Sequence, residues 1–398
     1  MIKEGFPKQR FLFFDKLIFY VVYAIWLLSD QGNKFIIYSP LLILFMYYIF
    51  NKLIGRKNEN YYNKLFKYFP FLLLITWFYG VFVGILNGND NVFVNNAGIL
   101  FFASYYFIAD NNLGVNQLKK IIFNLTIAST IYYLFNIGTD ILSQIKITSF
   151  GLRLGGYSIP GIFSATLLPL LFNNILFKIS KRIIIKNIYI NYILLILVVL
   201  VSVILVSSKG IYLIILVTLS ILFYYKLRQI KFMFWVFLFI TIFLLSSLVV
   251  NEIDFDKFVI FSSTDESNLA RYDMLDAMWN ELNFLGYGWG AKFQSIVLSS
   301  RDISGYSSEL SYMNLIHKIG FFSSIFFLFY GWLLVNIIRL IKSKKNDIIG
   351  TGLISLGMVT YLFTSIGNPS LFFPAFVFMT AMVLHLINKQ LILLRNER

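Results

Sequence analysis

Three cations in this chain stand where a ligand could approach closely. Arg153 lies in GLRLGGYSIPG and Lys209 in SSKG, each beside glycine at the mouth of an apolar segment, and Arg271 lies in NLARYDMLDAMWNELNFLGYGWGAKF. A guanidinium presents a planar fork of donors and keeps its charge, so it suits a phosphate, above all in a water-poor cleft. Around Arg271 the sequence predicts a helix that begins near Ser263, where Ser-x-x-Glu to Glu266 fits a capping box, and ends before Gly286. At about 100° per residue, Met274, Leu275, Met278 and Leu282 fall within roughly 60° of Arg271, and Asp273, Asp276 and Asn280 take the opposite face. Arg271 is therefore expected to turn inward as an anion ligand; the competing reading is an arginine that snorkels or is ion-paired and only anchors its segment.

Further along stand GYGWG and the pair Glu309 and His317. The alternate glycines Gly286, Gly288 and Gly290 lack the strand-to-helix setting of a dinucleotide fingerprint and the Gly-Lys-Ser/Thr ending of a P-loop, so they predict a tight turn with close backbone approach. Glu309 and His317 are about 80° apart in azimuth and roughly 12 Å apart in rise on one helix, too far to bond each other. Glu309, at a water-facing helix entrance, is a candidate base, and His317 lies deeper, where an interior polar contact competes with a role toward ligand. Tyr157, Trp279, Trp289, Tyr312 and His317 are ring-bearing residues able to contact a ligand or the membrane interface. No His/Asp/Glu cluster has metal-ligand spacing and no Gly-x-Ser-x-Gly elbow occurs, so neither metal nor cofactor is expected.

These residues must be positioned by apolar helices. The 398 residues are 58% hydrophobic, 19% aromatic and 13% charged, far from the roughly 25% charge of soluble domains. The composition predicts a polytopic membrane protein. Twelve apolar stretches can cross a bilayer: near 11–29, 35–54, 69–86, 92–109, 120–143, 159–178, 188–207, 210–225, 232–250, 311–338, 348–366 and 369–388. The expected fold is an all-α helical bundle forming one transmembrane domain over 1–398, with an extracytoplasmic loop, 251–310, between spans 9 and 10. With a cytoplasmic amino terminus, the outer segments hold only Lys34, Lys146, Arg153, Lys209, Lys257, Arg271, Lys292 and Arg301, and most of the other Lys and Arg fall inside. Both termini are then cytoplasmic, and the net charge of +15 reflects inner loops rather than nucleic-acid binding. Asp15 and Lys16 are expected at the membrane interface, and the basic stretch 51–69 as a solvated inner loop. The 251–310 loop departs from the rest: its four basic residues face ten acidic ones.

Three outer motifs in this order, on a twelve-span frame, resemble the family of O-antigen polymerases and O-antigen ligases, integral-membrane glycosyltransferases of the GT-C type. RLGGYSIPGIFSATLLPLLF is similar to the family's Arg-x-x-Gly, Pro-small pattern, SSKGIYLIILVTL to its Ser-Arg/Lys-Gly turn, and ARYDMLDAMWNELNFLGYGWGAKF with ELSYMNLIHKIGF to its Arg, Trp and Gly-x-Gly-x-Gly loop and following span. The resemblance implies a bacterial inner-membrane enzyme with an extracytoplasmic active site that joins polyprenyl-diphosphate-linked glycan repeat units. Arg153, Lys209 and Arg271 would hold the lipid diphosphate. Membrane lipid and a chain-length regulator are the implied partners. Family ligases carry a histidine eleven residues before the glycine matching Gly320, where this chain has Glu309, and that difference favours polymerase over ligase. A flippase or transporter of lipid-linked glycans is the competing class; it would place charges along a midplane cavity, and away from their ends the spans contain few ionisable residues, with His385, Lys318 and His317 the candidates.

Overall fold

The structure is a computed structural model that describes residues 8–28, 34–55, 61–93, 97–109, 111, 113–143, 266–293, 311–343, 345–364 and 374–396. Over 8–10, 34–37, 130–143, 266–271, 346 and 358–364 it describes the backbone alone. Every regular element among these residues is helical. In chain order they are α1 (Lys8–Leu28), α2 (Lys34–Leu53), α3 (Lys64–Leu86), α4 (Ala97–Phe107), α5 (Val115–Ser143), α6 (Glu266–Asn280), α7 (Ser311–Ile319), a 3₁₀ turn (Gly320–Ser323), α8 (Ser324–Ile341), α9 (Asn346–Thr364) and α10 (Pro374–Asn396). The expected spans near 159–178, 188–207, 210–225 and 232–250 lie outside the described residues.

Three of these stretches are long and apolar enough to cross a membrane: Lys64–Leu86, Ser311–Ile341 and Pro374–Asn396. At about 1.5 Å per residue each exceeds the roughly 30 Å hydrocarbon layer. The fourth expected span is shorter than its apolar stretch. Val92 and Phe93 lie in a turn, and α4 has only 11 residues, about 16 Å of helix. Asn91, at φ 56°, and Gly88, at φ 66°, bend the chain there, and an Asn-rich turn competes effectively with helix.

The core is built around α10, whose residues are buried almost continuously from Ala375 to Leu391 against α1, α4, α5, α8 and α9. A helix apolar on all sides is stable only when enclosed by other helices or lipid. Its polar groups are paired: His385 Nε2 lies 2.7 Å from the Tyr105 carbonyl and its ring stacks on Tyr105. Lys389, expected in a loop, lies inside α10 and its Nζ donates to the Asn111 carbonyl, Asn111 Oδ1 and the Leu113 carbonyl, holding the α4–α5 connection. Asn388 accepts from the Tyr62 amide at 2.8 Å, next to Asn63, which caps α3 by accepting from the Leu65 and Phe66 amides. The 51–69 stretch is thus tied to α10 at its Tyr62 end rather than wholly solvated. Asp15 is fully buried and accepts from the Tyr47 hydroxyl at 2.8 Å, where interfacial exposure was expected; the aromatic α1–α2 pair encloses it.

Candidate functional site

At the far end of α3 from Tyr62, Gly80 and Gly84 stand one turn apart and leave a groove on the helix surface. The segment 286–290 fills it. A Cβ at Gly80 would lie 2.5 Å from Trp289 Nε1, and one at Gly84 would lie 2.5 Å from the Trp289 carbonyl oxygen. The Trp289 amide donates to the Gly80 carbonyl at 2.9 Å, and its indole Nε1 donates to the Trp77 carbonyl at 3.1 Å. Asn89 Nδ2 donates to the carbonyls of Tyr287 and Trp289, Asn87 Nδ2 to that of Tyr287, and the Tyr79 hydroxyl to that of Leu285. An irregular ribbon has satisfied its polar backbone on a helix and its following turn.

The same ribbon serves α7 on its other side. An α-helix leaves its last carbonyls without intrahelical donors; here the Tyr287 amide donates to the His317 carbonyl at 2.9 Å and the Gly288 amide to the Lys318 carbonyl at 2.7 Å. The Phe321 amide in turn donates to the Phe284 carbonyl. Gly286, Gly288 and Gly290 have φ of 74°, 80° and 78°, a region costly for any residue with a Cβ. At Gly288 a Cβ would also overlap the Gly84 backbone, and at Gly290 the Asp90 carbonyl. The close approach expected of GYGWG is therefore made to protein backbone, from two directions.

α6 packs on α7 through Met274, Met278 and Phe293, with Ala277 and Met313 beside them. Met274, Met278 and half-buried Leu282 lie on the expected face and Asp273, Asp276 and Asn280 are exposed as expected, whereas Leu275 is 40% exposed and half-buried Glu281 extends the covered face on the other side. Arg271 belongs to α6 one turn before Met274; its side chain lies outside the described residues. Arg153, Tyr157, Lys209 and Glu309 also lie outside them, so the expected meeting of Arg153, Lys209 and Arg271 is not described.

Behind α6, His317 Nε2 approaches Glu281 Oε2 at 3.5 Å, with the imidazole 2% exposed and the glutamate side chain 14%. The imidazole lies between the rings of Tyr287 and Phe293, with centroids 4.8 and 4.5 Å away. Its Nδ1 is buried with no hydrogen-bond partner. Lys318, also buried, donates its Nζ to the Ala291 carbonyl and sits 4.3 Å from the Phe293 ring centroid. Tyr312 is half-buried against Phe327.

The two tryptophans part company. Trp279 is 67% exposed on α6, open to an interface or a glycan, while Trp289 is 2% exposed. Trp289 is a correction to the sequence expectation: its ring faces α3, because the two small residues of α3 make room for it, and neither a sugar nor the membrane interface reaches it. Sequence reasoning missed Gly80 and Gly84, although a Gly-x-x-x-Gly spacing in an apolar segment signals close helix contact. It also missed Asn87, Asn89 and Glu281, which carry no local signal. Among the described residues no cluster of His, Asp and Glu could hold a metal ion.

Comparison of the chain with protein-family models, curated proteins and solved structures returned no match.

Proposed function

We propose that this chain polymerises polyprenyl-diphosphate-linked oligosaccharide repeat units on the outer side of the bacterial cytoplasmic membrane, as a twelve-span bundle with both termini inside and residues 251–310 outside. A hydroxyl oxygen of one unit attacks the anomeric carbon of another; the bond to the diphosphate oxygen breaks, the configuration inverts, and the bond electrons leave with polyprenyl diphosphate. Charge grows on that leaving group, so cations fixed beforehand stabilise the transition state more than the ground state. Arg153, Lys209 and Arg271 fill that role, and a carboxylate takes the hydroxyl proton, with Glu309 the candidate from sequence.

One observation carries this reading furthest. The helix bearing Arg271 and the GYGWG ribbon form a continuous unit, attached by backbone hydrogen bonds to the last two turns of Lys64–Leu86 and, within Ser311–Ile341, to the junction of α7 with the 3₁₀ turn. That anchors the helix bearing Arg271 directly on membrane-length helices, beside which a lipid-borne diphosphate would approach. Cells lacking the chain should accumulate single lipid-linked repeat units on the outer face, and Arg271→Ala should abolish long polysaccharide at normal membrane abundance. Repeat units trapped inside would mean a flippase, and finished but unattached polymer a ligase; unchanged polymer length in Arg271→Ala would sink the assignment of that residue.

A further inference from the structure

We propose that the tip formed by Phe284 and Leu285 is immersed in bilayer lipid at this end of α3, in the outer leaflet on the topology above, and that α6 lies along the leaflet surface. The inference needs the membrane-length helices and not the polymerase reading.

Two helices give the depth of the tip. α3 has 23 residues, about 34 Å of helix against a hydrocarbon layer of roughly 30 Å. Tyr79, seven residues before the end at Leu86, stands about 10 Å below that end, inside the layer even when all the excess length projects here. The Tyr79 hydroxyl donates to the Leu285 carbonyl at 2.9 Å, so the tip is held near that level. Measured from the other side, Phe321 stands twenty residues before Ile341, about 30 Å along the helix and one layer thickness from the opposite boundary. Its ring stacks on Phe284 with centroids 5.4 Å apart. Phe284 and Leu285 therefore stand where headgroups give way to acyl chains.

At that depth apolar side chains can face outward, and polar backbone cannot. Phe284 is 72% exposed, Leu285 56% and Phe321 60%, a patch that is unfavourable in water and ordinary in lipid. It continues the exposed row of Ile75, Phe82 and Leu86, which flanks Tyr79 on the surface of α3. The backbone of the tip is bonded within the protein: the Leu285 amide donates to Asn283 Oδ1 at 3.1 Å, the Gly286 amide to the Asn283 carbonyl at 3.0 Å, and the Phe321 amide to the Phe284 carbonyl at 2.8 Å. Non-helical backbone is tolerated at membrane depth only where protein satisfies it, and here protein does.

The helix leading into the tip has a matching surface. At about 100° per residue, Tyr272, Leu275 and Trp279 share one side of α6, and all three are exposed. Asp273, Asp276 and Asn280 are exposed on the adjoining side, while Met274 and Met278 face protein. A helix with aromatics along its apolar strip and carboxylates beside it settles at headgroup level, where water and dissolved ions still reach Trp279.

The test uses the full-length chain, which has no cysteine of its own, in vesicles of phosphatidylethanolamine and phosphatidylglycerol without polyprenyl lipid. Nitroxide labels are placed on Leu285→Cys and, for reference, on Phe82→Cys in the exposed row of α3 and Asp276→Cys on the polar side of α6. Collisions with oxygen, which concentrates among acyl chains, are compared with collisions with a water-soluble nickel chelate. The ratio of oxygen to chelate collisions at Leu285→Cys should exceed that at Asp276→Cys several-fold and lie near that at Phe82→Cys. Equal ratios at Leu285→Cys and Asp276→Cys overturn the proposal. Shielding from both reagents overturns it too, because protein would then cover the tip, as does spin–spin broadening, which would make the occupant a second copy. A ratio that rises only after a polyprenyl diphosphate is added would assign the tip to that ligand and likewise overturn it. If Leu285→Cys fails to reach the membrane, Phe284→Trp decides: phospholipids brominated near the top of their acyl chains should quench the added emission, and unquenched emission overturns the proposal.

Discussion

The amide of Gly288 donates to the carbonyl of Lys318 over 2.7 Å while the Gly288 α-carbon rests against the backbone of Gly84. One residue without a side chain therefore touches α3 and closes the end of α7. Gly288→Ala should cost about 1–2 kcal/mol for its left-handed backbone alone, and more because the added methyl meets backbone that cannot rotate away. A large fall in the thermal midpoint of the detergent-solubilised protein is expected. Gly331→Ala is the control: its added methyl meets nothing within 4 Å, and in a helix interior alanine gains about 0.5–1 kcal/mol over glycine. Equal midpoints for the two variants would count against the docked ribbon.

The exposures of Trp279 and Trp289, 67% and 2%, predict opposite responses to iodide within the emission of the six tryptophans. Trp279→Phe should lower the share of the emission that iodide quenches, and Trp289→Phe should lower the share that it does not. Trp289→Phe also removes the indole donor to the Trp77 carbonyl, a bond of about 0.5–1.5 kcal/mol. Ready iodide quenching of Trp289 would refute its burial.

The absence of cysteine makes the chain its own background for labelling. Lys292 and Lys342 are both exposed and belong to opposite sides of the proposed topology. In intact cells a membrane-impermeant maleimide should label Lys292→Cys but reach Lys342→Cys only after the membrane is opened. The reverse pattern would invert the orientation, and labelling of both would break it.

Much of the helical framework was legible from apolar length alone. Helices over Lys8–Leu28, Lys64–Leu86 and Ser324–Ile341 fall where long apolar stretches must satisfy their backbone internally. α6 was legible too, since a capping pattern precedes it and glycines follow it. The edges of its covered face were not: Met274 and Met278 are buried as expected, but Leu275 and Glu281 are equally compatible with a helix lying on something, and which one is covered depends on Met313 and Phe293, contributed by other segments. Trp289 shows the same limit. An aromatic near a membrane end has the interface as its commonest destination, and only the pairing of Gly80 with Gly84 on α3 reveals that a slot for its backbone and indole exists. His317 could be read as deep and polar, but its partner Glu281 lies 36 positions back in the chain, where no helical periodicity connects them.

The ribbon at 286–290 also sets an order of events during synthesis. Gly80 and Gly84 enter the membrane some two hundred residues before the segment that covers them, and Trp289 must return to α3 across that interval. Closing so long a loop is slow compared with forming the helices it joins. The nascent chain therefore carries an open glycine groove on α3 through most of translation, a surface suited to mistaken helix pairing. Whatever shields α3 in that interval, whether lipid or an insertion chaperone, must release it when residues 286–290 arrive.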